Sequence, residues 1–149
     1  MNRHREPEIA VSLEAESPLS EEEVGDVVFR ILRAEEVTTG AFSVTLLDDA
    51  AMTALNRDHL GHDGPTDVIS FPLHEAGEAP VGDVYVGAER CIAQAAEEGV
   101  DPREETVRVI VHGILHTLGY DHPAGEARLD SEMWRRQEAL VRDILEHGP

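Results

Sequence analysis

The sequence predicts a mixed α/β or α+β protein, a sheet of about four strands interleaved with about five helices in one compact unit. Three observations predict it. Short runs that alternate apolar and polar residues, or are rich in β-branched ones, recur between longer runs with apolar residues at helical spacing. Glycine and proline punctuate the junctions. The 149 residues, 41% hydrophobic and 29% charged, suit a single globular domain spanning residues 1–149 rather than a disordered chain. The irregular order of elements leaves the strand topology open.

Residues 8–14 (EIAVSLE) alternate and read as a first strand. Ser20 is the N-cap of a helix from Glu21 to about Glu35. Glu23 completes a capping box, Glu21 and Glu22 favour the positive end of the helix dipole, and Val24, Val27, Val28, Ile31 and Leu32 form the buried stripe. Gly40 breaks the chain before a strand over Phe42–Leu47. Asp48 or Asp49 caps a helix reaching about Asp58, with Met52 and Leu55 facing inward. Asp67–Phe71 and Asp83–Val86 are short strands flanking a polar loop, Leu73–Pro80. A helix from Gly87 to about Glu98 ends at Gly99. Asp101 and Pro102 open the next in the usual way, an N-cap followed by proline at the first helical position. That helix runs to about Leu118 and ends at Gly119, and a last helix spans about Gly125–Glu146.

Composition narrows the function classes. No apolar run approaches the ~20 residues of a membrane span, and the first ten residues lack the apolar core of a signal peptide, so a cytoplasmic protein without a membrane partner is expected. Cys91 is the sole cysteine, which excludes an internal disulfide and a four-cysteine zinc site. It is expected to pack as a small apolar group. Asp and Glu total 31 against 12 basic residues, all of them arginine, for a net charge of −19. Such a chain is repelled from bulk nucleic acid unless arginines cluster or a metal supplies local positive charge.

The chemistry concentrates in Val111–His122, VHGILHTLGYDH. His112 and His116 stand four residues apart on the predicted helix, so both rings leave one face a turn apart, within reach of one ion at ~2.0–2.1 Å each. Gly119 lets the chain leave the helix in a left-handed conformation and bring His122 back as a third ligand. Three imidazoles with a position left for solvent is the arrangement of a catalytic zinc, although nickel, copper or iron also suit it. The spacing matches the ligand frame of zinc peptidases, but Gly113 stands where they carry the glutamate base, so amide hydrolysis is not expected.

HGILHTLGYDH resembles the H-G-x-L-H-L-x-G-Y-D-H signature of the YbeY family of bacterial metal-dependent endoribonucleases. Leu55–Pro72, LNRDHLGHDGPTDVISFP, is similar to the family's L-N-x-x-Y-R-x-K-D-x-P-T-D-V-L-S-F-P, and Gly82–Val86, GDVYV, to its G-D-I-x-I strand. The resemblance covers most of residues 40–135. It implies an α+β fold, a mostly parallel four-stranded mixed sheet packed by about five helices, with the metal in a cleft. It also implies one zinc on His112, His116 and His122, with His112 and His116 at the catalytic centre. The implied activity is cleavage of single-stranded RNA in 16S ribosomal RNA 3′-end maturation and ribosome quality control. The implied partners are ribosomal RNA and the ribosome or a ribosomal protein, and DNA is not expected.

The middle motif departs from the family: its Tyr-Arg and Lys are His59, Leu60 and His62 here. Leu60 removes the arginine regarded as part of the active site, leaving His62 as a stand-in catalytic group and Arg57 nearby. RNA cleavage tolerates the missing base, because the substrate's own 2′-hydroxyl or a metal-activated water is the nucleophile. Asp121 is the nearest carboxylate, placed to orient a ligand or to stabilise the turn. Thr66 and Asp67 either line the cleft or start a strand. Met133 and Trp134 are expected in the core, His74 in solvent, and His4 and His147 without function. Arg135, Arg136 and Arg142 are expected as solvated helix charges. A non-catalytic assembly factor whose acidic surface docks on a basic ribosomal protein is the second reading.

Overall fold

The computed structural model describes residues 6–61, 64, 66–120 and 131–148. Its described residues form four strands and five helices: β1 (Glu8–Leu13), α1 (Glu21–Ala34), β2 (Ala41–Leu47), α2 (Asp49–Leu60), β3 (Val68–Pro72), β4 (Val81–Gly87), α3 (Ala88–Glu98), α4 (Pro102–Thr117) and α5 (Glu132–Glu146). The strands lie in the order β1-β2-β4-β3. β1 pairs parallel to β2 and β2 parallel to β4, while β3 runs antiparallel to β4 at the edge. The expected α+β fold with a mostly parallel four-stranded sheet is therefore the fold observed.

Alternation decides which face each strand buries. Phe42, Val44 and Leu46 of β2 and Val84 and Val86 of β4 point into the core, and their neighbours stay half-exposed. Val24, Val27, Val28, Ile31 and Leu32 of α1 and Leu140, Val141 and Ile144 of α5 complete that core. Helix α4 touches α1, α3 and α5 as well as β3 and β4. Enclosure by three helices and two strands explains why it buries residues nearly all round.

Two glycines set how closely α4 lies on the sheet. A Cβ at Gly113 of α4 would stand 2.6 Å from Val84 Cγ1 and 3.0 Å from Val68 Cγ2, and one at Gly82 of β4 would stand 2.6 Å from Thr117 Cβ. Ser70 Oγ donates to the Gly113 carbonyl at 3.0 Å, locking the contact. The position that carries a glutamate base in zinc peptidases is here the point of closest helix–sheet approach.

Caps set the helix ends. The Ser20 hydroxyl accepts from Glu23 N and the Glu23 carboxylate accepts from Ser20 N, the expected capping box. Asp48, rather than Asp49, caps α2, and Gly61 and Gly99 end α2 and α3 in the left-handed region. One boundary differs from expectation. The last helix starts at Glu132, with Ser131 as N-cap accepting from Trp134 N, not near Gly125. Two histidine and arginine expectations also change. His74 is half-buried, and its Nδ1 accepts from Val81 N at 3.0 Å, closing the loop between β3 and β4. Arg136 binds the Glu35 carboxylate and the Ala34 carbonyl, tying α5 to the end of α1 instead of facing water. No helix among the described residues is long and apolar enough to cross a membrane.

Candidate metal centre and its cleft

The buried flanks of α4 hold its one polar edge in place. Val109, Ile110, Val111, Ile114 and Leu115 are buried, and His112 and His116 are half-buried between them. The two imidazoles lie edge to face, with centroids 4.7 Å apart and planes at 77°. Helical spacing alone gives this proximity. Beyond them Gly119 takes φ +100°, the left-handed exit expected after the second histidine. His122, Asp121 and His62 lie outside the described residues. Among the described residues no group of three or more His, Cys, Asp or Glu side chains is arranged to hold an ion.

His112 opens on a cleft of about 780 Å³ between α3, α4 and α5. Asp67, Glu97, Glu98, Glu105 and Glu138 line it against two arginines, Arg90 and Arg108. The wall is therefore acidic, a surface that favours cations over phosphates. Met133 is buried in the core as expected, whereas Trp134 is half-buried and lines the cleft.

One hydrogen-bond network crosses this cleft and was invisible to residue spacing. His112 Nδ1 meets Gln137 Oε1 at 2.7 Å, and Gln137 Nε2 donates to Glu138 Oε2 at 3.1 Å. Arg108 donates to both oxygens of Glu138, at 2.9 and 3.1 Å, and also to Glu104 and Glu105. Gln94 joins from α3, donating to Glu105 at 3.0 Å and, more weakly, to Asp67 at 3.4 Å. Burial pushes the Glu138 carboxyl up, but the hydrogen bonds from Arg108 and Gln137 outweigh it and leave it below the ordinary range. Arg108 is raised, because its bonds to the three glutamates exceed the effect of its burial.

This donor set fits a transition metal. Two imidazoles are adjacent, and the one on the cleft already has its Nδ1 engaged by a side-chain oxygen, the usual support of a ligating histidine. With His122 as the third nitrogen, these residues would hold an ion such as zinc.

Arg57, His59 and Leu60 of the middle motif sit on α2, outside the residues that line the cleft. Leu60 ends α2 and is 49% exposed, so position 60 offers no charge to a phosphate. His59 stacks edge to face on Phe71, which stacks in turn on Tyr85. Arg57 is exposed and pairs with Asp58 at 3.7 Å. Cys91 is buried, and burial pushes its thiol up, so it packs as an inert apolar group.

The chain is similar to known proteins along most of its length. Residues 9–145 match the family model described as Endoribonuclease YbeY. A protein of that name from Rhodospirillum rubrum is 46% identical over 98 residues, which cover 60% of this chain and 49% of that protein, so the chain spans about half of it. The Moorella thermoacetica protein of the same name is 35% identical over 147 residues, covering 88% of this chain and 92% of that one. The solution structure of TM1509 from Thermotoga maritima superposes with a TM-score of 0.70 at 28% identity, covering 93% and 90% of the two chains. By its sequence match and its fold, the chain belongs to the endoribonuclease YbeY family.

Proposed function

We propose that this chain is a zinc-dependent endoribonuclease for single-stranded RNA, working in the cytoplasm on 16S ribosomal RNA 3′-end maturation and ribosome quality control. The observation that carries the reading is the pair His112 and His116, adjacent on a largely buried helix, with His112 opening on a cleft. These two and His122 are the proposed ligands. A zinc ion held by these residues would polarise a phosphoryl oxygen and would offset the acidic wall of the cleft. His62 is the proposed stand-in for the arginine that Leu60 replaces. Gly113 has no proton to exchange and serves packing alone, which fits a substrate that brings its own nucleophile.

Two measurements test this. Metal analysis is expected to find about one zinc per purified chain and essentially none after His116→Ala. Full zinc retention in that variant overturns the ligand assignment. Zinc-loaded protein is expected to cut single-stranded ribosomal RNA, with cleavage abolished by a chelator, restored by zinc and absent in His112→Ala.

The charge favours a second reading. Among the described residues, Arg30, Arg90, Arg103, Arg108 and Arg136 each pair with a carboxylate of the chain itself, which reduces the cationic surface they offer to RNA. In that reading the metal holds the fold, and the acidic surface docks on a basic ribosomal protein. Cleavage by neither the wild type nor His112→Ala supports docking, and cleavage by both marks a contaminating nuclease.

A further inference from the structure

We propose that Gln137 is a positioning residue for the metal centre: fixed by Glu138 and Arg108, it holds His112 in the Nδ1–H tautomer, so that the lone pair sits on Nε2. The proposal rests on the reading of His112 as a ligand, and it concerns the ring before any metal arrives.

Glu138 takes two hydrogen bonds from the Arg108 guanidinium, at 2.9 and 3.1 Å. Arg108 is always cationic, so its partner is held as the carboxylate, which only accepts hydrogen bonds. The Gln137 atom 3.1 Å from Glu138 Oε2 must therefore be the amide nitrogen. A carboxamide has two ends, so its oxygen faces His112 at 2.7 Å. That oxygen also only accepts, which places the hydrogen on His112 Nδ1. In a neutral ring the other nitrogen then carries the lone pair that a metal needs. Flipping the amide would set its oxygen against a carboxylate oxygen.

Burial makes the selection strict. Gln137 is 2% exposed, so water cannot replace either bond. The remaining Arg108 bonds run to Glu104 at 3.0 Å and Glu105 at 3.1 Å, both on α4 about two turns before His112. The guanidinium is thereby anchored to the helix that carries the ligand, while Glu138 and Gln137 belong to α5. The bridge between α4 and α5 sets the tautomer. A neutral histidine side chain in water prefers its proton on Nε2, so the protein inverts the intrinsic preference.

The test reads the tautomer directly in metal-free protein. Long-range proton–nitrogen NMR correlations of the imidazoles at pH 8, with His112→Asn to assign the signals, give the state of each ring nitrogen. Wild-type His112 is expected as the Nδ1–H form and Gln137→Met predominantly as Nε2–H. Glu138→Met is expected to give a mixture, because the amide is then free to turn. Parallel zinc titrations are expected to show affinity about 10–100-fold weaker in Gln137→Met.

An Nε2–H wild-type ring, or an unchanged tautomer in folded Gln137→Met, overturns the proposal. Should Gln137→Met fail to fold, the wild-type and Glu138→Met spectra decide it alone. A wild-type chain that shows the Nδ1–H ring yet takes up no zinc overturns the ligand reading and leaves the tautomer assignment standing.

Discussion

Gly113 shows how one side chain, or the lack of one, directs a family's chemistry. A hydrogen there lets α4 settle on Val84 and Val68 and lets Ser70 bond the Gly113 carbonyl. Alanine at a helix interior is worth about 1 kcal/mol over glycine. Against that gain stands a methyl 2.6 Å from Val84 Cγ1, and overpacking of this kind costs about 1–3 kcal/mol. Packing wins because neither Val84 nor the β4 backbone has room to retreat. Gly113→Ala is expected to lose up to about 2 kcal/mol in urea unfolding, and Gly113→Glu considerably more, with no peptidase activity gained. An alanine variant as stable as the wild type would show that the helix can lift off the sheet without cost. The departure from the peptidase pattern, read from sequence as a missing base, is thus a packing requirement.

At the scale of elements, α1 carries two devices at one end, and pH separates them. Ser20 and Glu23 exchange cap hydrogen bonds, and Arg103 of α4 donates to the Glu23 carboxylate and to the Pro18 carbonyl. The Arg103 bond, then the Ser20 backbone bond, hold the Glu23 carboxyl down at about 2, against an ordinary 4.5. A folded-state value below the unfolded one means that the stabilisation is complete above pH 4.5 and is lost as pH falls towards 2. Gln at position 23 keeps the capping box and removes only the charge. Glu23→Gln is therefore expected to cost about 0.5–1 kcal/mol at neutral pH, a value kept small by solvent exposure, and nothing near pH 2. A difference that persists unchanged at pH 2 would assign the effect to the cap and not to the ion pair. These same caps explain why most helix ends were readable in advance: Ser20, Asp101 and Gly99 are local signals acting within four residues. The start of α5 differs from the Gly125 that the sequence predicts, although Ser131, whose hydroxyl accepts from Trp134 N, is itself an N-cap signal. The roles of Gln137 and Glu138 have no local signal, since their partners His112 and Arg108 lie 25 and 30 residues away on another helix.

Across the whole molecule the question is how a chain of net charge −19 meets a polyanion. Among the described residues, six arginines pair with carboxylates of the chain: Arg108 with three glutamates, Arg103 with Glu23, Arg136 with Glu35, Arg30 with Asp26, Arg90 with Glu97 and Arg57 with Asp58. Each phosphate neutralised by a protein cation releases counterions, and for single strands the slope of log affinity against log salt is about −0.7 per phosphate. On the proposed reading, recognition depends on the metal and a few groups beside it, so only two or three phosphates are neutralised. The expected slope for zinc-loaded protein binding a single-stranded RNA is then about −1.4 to −2.1, and most of the affinity disappears when zinc is removed. A slope of about −4 or steeper, kept after zinc removal, would mean that the arginines abandon their carboxylates to line a phosphate track, and the metal would lose its place as the electrostatic anchor. A slope near zero together with tight binding to a basic ribosomal protein would instead make the acidic surface the docking face. Salt dependence separates these outcomes because counterion release counts phosphate contacts whether or not any bond is cut.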